Sequence, residues 1–256
     1  MIVFNTDLDN TIIYSYKHDI GLNKRNVEIY NNREVSFITD KTYGLLQKVK
    51  NEMMIVPTTT RTIEQYQRIN LGIGKIKYAL VCNGGILLVD GERDETWYDE
   101  SVRLVETSLP EMIRGQLLLE KEKRRIFDIR FIEHLFIFTK CIEPERVVNK
   151  LKSKLNMDLV DVMNNGVKVY IVPRNLDKGM AIQRFRKRLM PEYVIAAGDS
   201  SFDIPMLNSA DIGLAPSGFK EKFSISSDIY EMNPDCIFSE ALLGECLRCG
   251  DKGISR

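Results

Sequence analysis

Short apolar runs separated by amphipathic segments recur along the chain and predict an alternating α/β core. An apolar run of about four to eight residues with polar residues on both sides is typical of a strand buried in a parallel sheet. Five runs fit this description: Met1–Phe4, Met53–Pro57, Tyr78–Cys82, Val194–Ala197 and Ile212–Ala215. Helical spacing predicts the helices Asp40–Asn51, Thr62–Ile69, Asp177–Met190, Ile204–Ser209 and Glu240–Arg248. This alternation favours a doubly wound, mostly parallel, Rossmann-like sheet.

The stretch 99–172 has a different order of elements and predicts a smaller domain inserted into this core. The predicted helices are Ser101–Glu120 and Pro144–Leu155, and the predicted strands are Ile126–Phe131, Leu135–Thr139, Leu159–Met163 and Val167–Val172. An Asn-Asn-Gly turn joins the last two strands into a hairpin. The αββαββ order indicates an α+β unit with an antiparallel sheet, so the predicted core consists of residues 1–98 and 173–256.

Three local features complete the prediction. The polar, irregular stretch Ile12–Glu34 is expected to be a loop or flap. The segments Ile86–Val89 and Thr96–Tyr98 lie on either side of an Asp-Gly pair, which predicts a hairpin. Asp40 is the expected N-cap of the first helix, because a carboxylate can accept the unpaired backbone N–H groups there.

Composition narrows the classes of function. The 256 residues include 36 Lys and Arg and 36 Asp and Glu, so the formal net charge is zero. A nucleic-acid-binding protein normally has a basic excess, so no nucleic-acid partner is expected. No run approaches the roughly 18 apolar residues of a membrane helix. The first strand leaves no room for a leader, and five scattered cysteines favour reduced thiols, so a cytoplasmic protein without membrane contact is expected. Oligomeric state has no signature in the sequence.

Four polar clusters follow predicted strands or open a predicted helix. They are Asp7 with Asp9, Thr58 to Arg61, Lys178, and Asp199 with Asp203. Ligands of open α/β sheets bind outside the carboxyl ends of strands, where these clusters fall. Crowded carboxylates repel one another, so a cation is expected among them. The clusters contain no His or Cys, and an oxygen-rich site suits Mg²⁺ better than zinc.

In this order, the four clusters resemble the motifs of the haloacid dehalogenase superfamily. The matching segments are D-L-D-N-T, the strand-end T-T-R, the D-K-G that contains Lys178, and G-D-S-S-F-D. The resemblance covers nearly the whole chain. The position and length of the insert resemble the type IIB cap, which occurs in Cof-like sugar phosphatases, sucrose-phosphate phosphatase and phosphomannomutase. Such a cap closes over the site, excludes bulk water and selects the substrate.

The resemblance implies a role for each matched catalytic residue. Asp7 resembles the nucleophile that becomes an aspartyl-phosphate, and Asp9 resembles the general acid and then the general base. Thr59 resembles the hydroxyl that holds the transferring phosphoryl group, although its neighbour Thr58 is an alternative. Lys178 resembles the ammonium that offsets charge on the phosphate and the nucleophile.

The resemblance also implies metal and substrate contacts. Asp199 resembles the acidic Mg²⁺ ligand, together with Asp7 and the backbone carbonyl of Asp9, and Asp203 in the same loop is a further predicted metal-binding residue. The predicted substrate contacts are Thr58, Thr60, Arg61, Asn83, Gly84 and Ser200. Two of these predictions have structural alternatives. Arg61 could pair with a carboxylate instead of phosphate, and the Asn83-Gly84 pair could form a turn.

Three positions depart from the family pattern. Asn10 and Thr60 each replace a Gly of the motifs, and Phe202 replaces an Asn that a metal-binding loop would use. Asn tolerates unusual backbone angles, so the first change is mild. Phe cannot ligate a metal, so Ser200 and Asp203 are expected to take a larger part in the metal-binding role of this loop.

Together these features predict a Mg²⁺-dependent phosphohydrolase that acts on a small phosphorylated substrate, a sugar phosphate being preferred. Two alternatives stay open. A phosphosugar mutase uses the same cap type and transfers phosphate within the sugar. A non-catalytic relative that binds a phospho-ligand or a protein is suggested by Phe202.

Overall fold

The computed structural model describes residues 1–225 and 228–253, which alternate between strands and helices. Its strands are β1 (Ile2–Thr6), β2 (Tyr14–Ser15), β3 (Lys24–Tyr30), β4 (Arg33–Thr39), β5 (Met54–Pro57), β6 (Tyr78–Val81), β7 (Ile86–Val89), β8 (Glu92–Arg93), β9 (Arg130–Ile132), β10 (Phe136–Lys140), β11 (Val160–Asn165), β12 (Lys168–Pro173), β13 (Tyr193–Ala197), β14 (Ile212–Ala215) and β15 (Ile229–Glu231). Its α-helices are α1 (Asp40–Glu52), α2 (Ile63–Gln67), α3 (Glu95–Val105), α4 (Leu109–Glu120), α5 (Pro144–Lys152), α6 (Lys178–Leu189), α7 (Ile204–Ser209), α8 (Phe219–Phe223) and α9 (Phe238–Gly253).

A five-stranded parallel sheet lies at the centre of the first compact unit, which comprises Met1–Arg93 and Lys178–Arg256. The strand order is β15-β14-β13-β1-β5, and every residue of β1 is buried. Phe4 packs in one large apolar cluster with residues of α1 and α9. The predicted class, a doubly wound parallel core with helices and an inserted α+β unit, is confirmed.

The central position of β1 places its carboxyl end between the ends of two neighbouring strands. The backbone N–H of Asp7 donates to the carbonyl of Ala197 at the end of β13 (2.8 Å). On the other side, the N–H of Thr58 donates to the carbonyl of Thr6 (2.7 Å). The polar clusters that follow β1, β5 and β13 therefore meet at one edge of the sheet.

The stretch Ile12–Glu34, expected to be a loop, instead contributes to a three-stranded antiparallel sheet in the order β2-β4-β3. The prediction was wrong because polar side chains cover most of β3, so the apolar alternation that marks a strand is weak there. Pairing of β3 with β4 is irregular around Glu28, where the register shifts. Such a bulge turns a side chain away from the regular alternation.

The predicted strand Thr96–Tyr98 is also wrong, because these residues lie in α3. The strand that pairs with β7 is the shorter β8. Asp94 then caps α3, and its carboxylate accepts the backbone N–H of Trp97 (2.9 Å). The second compact unit begins at this cap and spans Asp94–Asp177, whereas the predicted insert covers residues 99–172.

Two smaller details of the core differ from expectation. The N-cap of α1 is Thr39, whose hydroxyl accepts the N–H of Thr42, and Asp40 lies in the first turn. The strand β6 forms a separate antiparallel sheet with β7 and β8. It approaches β5 through a single parallel bridge between Thr58 and Leu80.

The second unit contains a four-stranded antiparallel sheet in the order β11-β12-β10-β9. A 3-10 turn separates α3 from α4, where a single helix was predicted. Ile137, Ile171 and Val162 are aligned across three of the strands and are buried. They give this unit an apolar core of its own.

Two further expectations concern the state of the cysteines and the presence of a membrane-spanning helix. All five cysteines are free thiols, and four of them are buried. Within the described ranges, we find no helix that combines the length and the apolar character required to cross a bilayer.

Gly179 allows the start of α6 to approach the backbone of the first turn of α7. A Cβ at this position would lie 2.4 Å from the carbonyl oxygen of Pro205, which cannot move without the helix. We expect Gly179→Ala to lower the free energy of unfolding by about 1–3 kcal/mol, measured by urea denaturation.

Gly44 provides the matched control, because it also lies in a helix but a Cβ there meets no atom within 4 Å. Gly44→Ala should stabilise the protein by about 1 kcal/mol, since Ala is the better helix former. Similar effects of the two substitutions would contradict the close approach at Gly179.

Candidate active site

An ammonium group between two carboxylates forms the centre of the polar edge of the sheet. Lys178 is the first residue of α6, and its side chain is only 1% exposed. Its Nζ donates to Oδ1 of Asp7 at 2.6 Å and to Oδ1 of Asp203 at 2.5 Å. Both acids are buried, so this charged group links the end of β1 to the loop before α7 within the protein interior.

Burial and mutual repulsion shift the pKa values of the central groups. Burial raises the pKa of Asp7 well above its usual range, Lys178 lowers it in part, and the nearby Asp203 raises it further. Burial lowers the pKa of Lys178, but the attraction of Asp203 and Asp7 outweighs burial and raises it. The ammonium therefore keeps its charge, and the carboxylates crowd a region that favours added positive charge.

The loop from Gly198 to Asp203 is folded around the second of these carboxylates. The Oδ2 atom of Asp203 accepts the backbone N–H of Asp199 (3.1 Å), the N–H of Ser200 (2.9 Å) and the hydroxyl of Ser200 (2.8 Å). Gly198 is required here, because a Cβ would lie 2.3 Å from the Cβ of Asp203. Asp203 therefore anchors the loop while it also binds Lys178.

The donor set of this site suits a hard cation. One carboxylate oxygen from each of Asp7, Asp199 and Asp203 lies within 4.8 Å of the others. Burial and the neighbouring Asp203 raise the pKa of Asp199 to about 7, despite the attraction of Lys178. The Thr11 hydroxyl donates to Asp199 (3.3 Å). Oxygen ligands and unbalanced negative charge fit a divalent cation such as Mg²⁺.

The two adjacent threonines after β5 have different surroundings. The hydroxyl of Thr58 accepts from the side chain of Asn5 (3.1 Å) and donates to the carbonyl of Val56 (3.2 Å), so it is used within the sheet. The hydroxyl of Thr59 accepts the N–H of Arg61 (3.2 Å), which leaves its hydrogen for donation. Thr59 is therefore the better phosphate-binding candidate.

Arg61 and Asp9 form a two-pronged ion pair. Nε of Arg61 donates to Oδ2 of Asp9 at 2.8 Å, and Nη2 donates to Oδ1 at 2.7 Å. The side chain of Asp9 is half exposed, whereas that of Arg61 is mostly buried. Of the two alternatives for Arg61, the structure thus shows pairing with a carboxylate. Asp9 is not among the three clustered carboxylates of Asp7, Asp199 and Asp203.

Other predicted site residues lie on the adjacent turns. Asn83 has a left-handed backbone (φ 60°), and its N–H donates to the carbonyl of Thr59 (2.9 Å), so the Asn83-Gly84 segment is a turn that supports the Thr59 loop. Thr60 is partly exposed in that loop. Asn10 is also left-handed (φ 59°), as a replacement for Gly would need to be. Phe202 is buried, at 7% exposure.

Sequence reasoning missed three residues that support Arg61. Glu28 accepts a hydrogen bond from the Arg61 guanidinium, and Ser36 and Arg68 donate hydrogen bonds to Glu28. Glu28 lies in the stretch interpreted as a loop, and no motif marks it. A buried strand would have drawn attention to its carboxylate, but β3 carries too little apolar signal to be recognised.

Comparison with known proteins identifies similar sequences. Residues 92–222, just over half of the chain, match the profile of the haloacid dehalogenase-like hydrolases. A phosphoglycolate phosphatase from Methanopyrus kandleri is 28% identical over 151 residues, which are 57% of this chain and 62% of that protein. The match thus spans less than two thirds of the curated relative.

Solved structures share the whole fold. The sucrose-phosphatase from Synechocystis sp. PCC6803, solved with sucrose and phosphate, has a TM-score of 0.68 and 17% identity, with 98% of each chain covered. A haloacid dehalogenase subclass IIB sugar phosphatase has a TM-score of 0.62 and 16% identity, with 98% of this chain and 99% of that chain covered. At these identities the likeness establishes the fold.

Replacing Lys178 by Met would leave Asp7 and Asp203 buried without the ammonium between them. Removing one partner of a buried ion pair costs about 3–5 kcal/mol. Without the ammonium, the folded-state pKa of Asp7 lies further above its unfolded value. Stability is therefore lost as the pH rises and Asp7 ionises. Urea denaturation should show a larger loss in the free energy of unfolding at pH 8 than at pH 5.

Lys150→Met is the control for that experiment. Lys150 pairs with one buried carboxylate, Glu122, in the second unit and is itself 44% exposed. Its replacement should cost less than that of Lys178. Equal losses for Lys178→Met at the two pH values would argue against two crowded acids at its partner positions.

Proposed function

Because the chain belongs to the haloacid dehalogenase-like hydrolase family, we propose that it is a phosphohydrolase that transfers phosphate from a small phosphate monoester to water through Asp7. The observation that carries this proposal is the buried carboxylate–ammonium–carboxylate bridge at the end of β1. A nucleophilic carboxylate next to an ammonium and a cation site can attack a dianionic phosphate without strong repulsion.

The proposed reaction has two steps that use the two acids of the first motif. In the first step, Asp7 bonds to phosphorus, the bond from phosphorus to the ester oxygen breaks, and Asp9 gives its proton to that oxygen. In the second, Asp9 takes a proton from water, the resulting hydroxide bonds to phosphorus, and the bond to Asp7 breaks. One carboxyl group thus serves as acid and then as base, and the enzyme is restored.

Lys178 and Thr59 support both steps in this proposal. The Lys178 ammonium, held between Asp7 and Asp203, orients the nucleophile and offsets charge that develops on the phosphoryl oxygens. The Thr59 hydroxyl has a hydrogen to donate to one of those oxygens. Asp203 holds Lys178 and the loop in place.

A divalent cation, proposed to be Mg²⁺, fits beside Asp7. Asp7 and Asp199 are the proposed carboxylate ligands, because Asp203 already accepts four hydrogen bonds. When bound, the cation neutralises the crowded acids and polarises a phosphoryl oxygen. Phe202 cannot ligate a cation. Backbone and water oxygens would therefore have to supply the ligand that an Asn provides in other family members.

The substrate class is proposed from the relatives. One relative is named a phosphoglycolate phosphatase, and two similar structures are a sucrose-phosphatase and a sugar phosphatase. All three names refer to a small phosphorylated molecule as the substrate. For this chain we favour a sugar phosphate. A panel of phosphate esters, scored by release of inorganic phosphate, identifies the preferred ester. Conversion of a sugar 1-phosphate to its 6-phosphate without free phosphate would instead indicate a mutase.

Asp7→Asn removes the proposed nucleophile with little change in shape. We expect hydrolysis of p-nitrophenyl phosphate with Mg²⁺ to fall by roughly 10³-fold or more, because the amide cannot form the phosphoenzyme. Asp40→Asn changes an exposed acid paired with Arg25 and should leave the rate unchanged. Undiminished activity of Asp7→Asn would refute the assignment of the nucleophile.

Binding of Mg²⁺ should weaken as the pH falls. The pKa of Asp199 is about 7 without a cation, so below neutral pH the cation must displace a proton. Displacement of the Asp199 proton alone makes binding about tenfold weaker at pH 6 than at pH 8, and a proton on Asp7 would add to this effect. Isothermal titration of the ester-free enzyme measures this ratio. Asp199→Asn should weaken binding and reduce this pH dependence, leaving only the contribution of Asp7, and equal affinity of the native enzyme at both pH values would contradict the prediction.

A further inference from the structure

Arg61 connects the acid of the first motif to a second, buried carboxylate. Two of its nitrogens donate to Asp9, as described above. Nη1 and Nη2 also donate to Oε1 and Oε2 of Glu28 at 2.8 and 3.0 Å. A planar guanidinium with five fixed donors is suited to holding two carboxylates at once. The position of Asp9 is thereby tied to that of Glu28.

Glu28 is the more firmly fixed end of this chain of contacts. Its side chain is 3% exposed, and it lies at the bulge of β3. The hydroxyl of Ser36 on β4 donates to its Oε2 at 2.6 Å, and Nε of Arg68 donates to its Oε1 at 3.2 Å. Hydrogen bonds from several directions hold the Glu28 carboxylate in one orientation. Because Arg61 donates to both oxygens of Glu28, the orientation of its guanidinium is fixed as well.

The charges of the four groups balance, with two arginines and two acids. Burial raises the pKa of Glu28, but hydrogen bonds from Arg61 and Ser36 lower it by more, so the group remains a carboxylate. Burying a charged carboxylate in a bulge is costly for a small domain unless it is well paired. A neutral polar side chain would fill the same space with a smaller desolvation cost. A role in the reaction would explain why a charged side chain occupies this position.

We propose that Glu28 is a positioning residue for proton transfer: it fixes Arg61, and Arg61 fixes the half-exposed carboxyl group of Asp9 beside the ester oxygen. The inference rests on the proposed function, because it concerns the step in which Asp9 protonates the leaving group. Nε and Nη2 of Arg61 donate to different oxygens of Asp9, so both oxygens of that carboxyl group are held in position.

This role has a chemical signature that a purely structural role lacks. A leaving group that is a weak base departs without much help, whereas a more basic one needs a proton in the transition state. Loss of alignment at Asp9 therefore harms poor leaving groups more than good ones. Loss of general stability would harm both alike.

The experiment measures kcat/KM of native enzyme and Glu28→Gln on p-nitrophenyl phosphate and on phenyl phosphate. The two esters are alike in size and differ mainly in leaving-group basicity. The parameter kcat/KM covers the steps up to the first bond cleavage. We expect the loss with phenyl phosphate to exceed the loss with p-nitrophenyl phosphate by about tenfold, since misalignment removes part of the general-acid contribution.

Two further variants separate positioning from stability. Glu122→Gln removes another buried, ion-paired carboxylate in the second unit, held by Lys150 and Arg124, and should affect both esters equally. Adding Glu28→Gln to Asp9→Asn should cause no extra preference between the esters. If Glu28→Gln does not fold, Ser36→Ala removes one of its hydrogen bonds and should show a smaller change in the same direction.

The outcomes distinguish the two hypotheses. Native enzyme that hydrolyses neither these two esters nor any ester of the panel would refute the proposed function. Native enzyme that hydrolyses both, with Glu28→Gln lowering both by the same factor, would overturn the positioning role and leave the proposed function standing. A selective loss that persists in the Asp9→Asn background would also overturn it, because the effect would then not pass through Asp9.

Discussion

The buried ammonium of Lys178 between two carboxylates is the contact on which the rest of the site depends. It joins residue 7 to residues 178 and 203, which the chain brings together from three elements. A buried ion pair of this kind contributes little net stability, because removing the charges from water offsets most of their attraction. Its value lies in geometry. The parallel sheet supplies the end of β1, α6 begins at the lysine, and the loop before α7 supplies the second acid.

A second charged network, around Arg61, lies next to the first and gives the two acids of the first motif different surroundings. Asp7 faces Lys178 inside the protein, while Asp9, two residues later, is half exposed and paired with Arg61. Different environments give two chemically identical side chains different properties. The antiparallel sheet of β2, β3 and β4 adds Glu28 to this network, so it supports the site as well as the fold.

The sequence predicted the features that follow from strong local patterns. Continuous apolar runs marked β1, β5, β13 and β14, and the polar residues after them marked the site. It failed where the pattern is weak. The β3 strand is largely polar, so it was interpreted as a loop, and Glu28 could not be recognised there. The choice between Thr58 and Thr59 needed the orientation of each hydroxyl, which depends on Asn5 across the sheet. Pairing of Arg61 with Asp9 likewise depends on tertiary contacts that no spacing encodes.

Trapping the covalent intermediate tests the central claim most directly. Enzyme mixed with Mg²⁺ and a phosphate ester carrying a radiolabelled phosphoryl group is quenched in acid, where an acyl-phosphate survives, and digested to peptides. The account predicts label on the peptide that contains Asp7, and none in the Asp7→Asn variant. Rapid turnover without label on the protein, or label on a different residue, would contradict it.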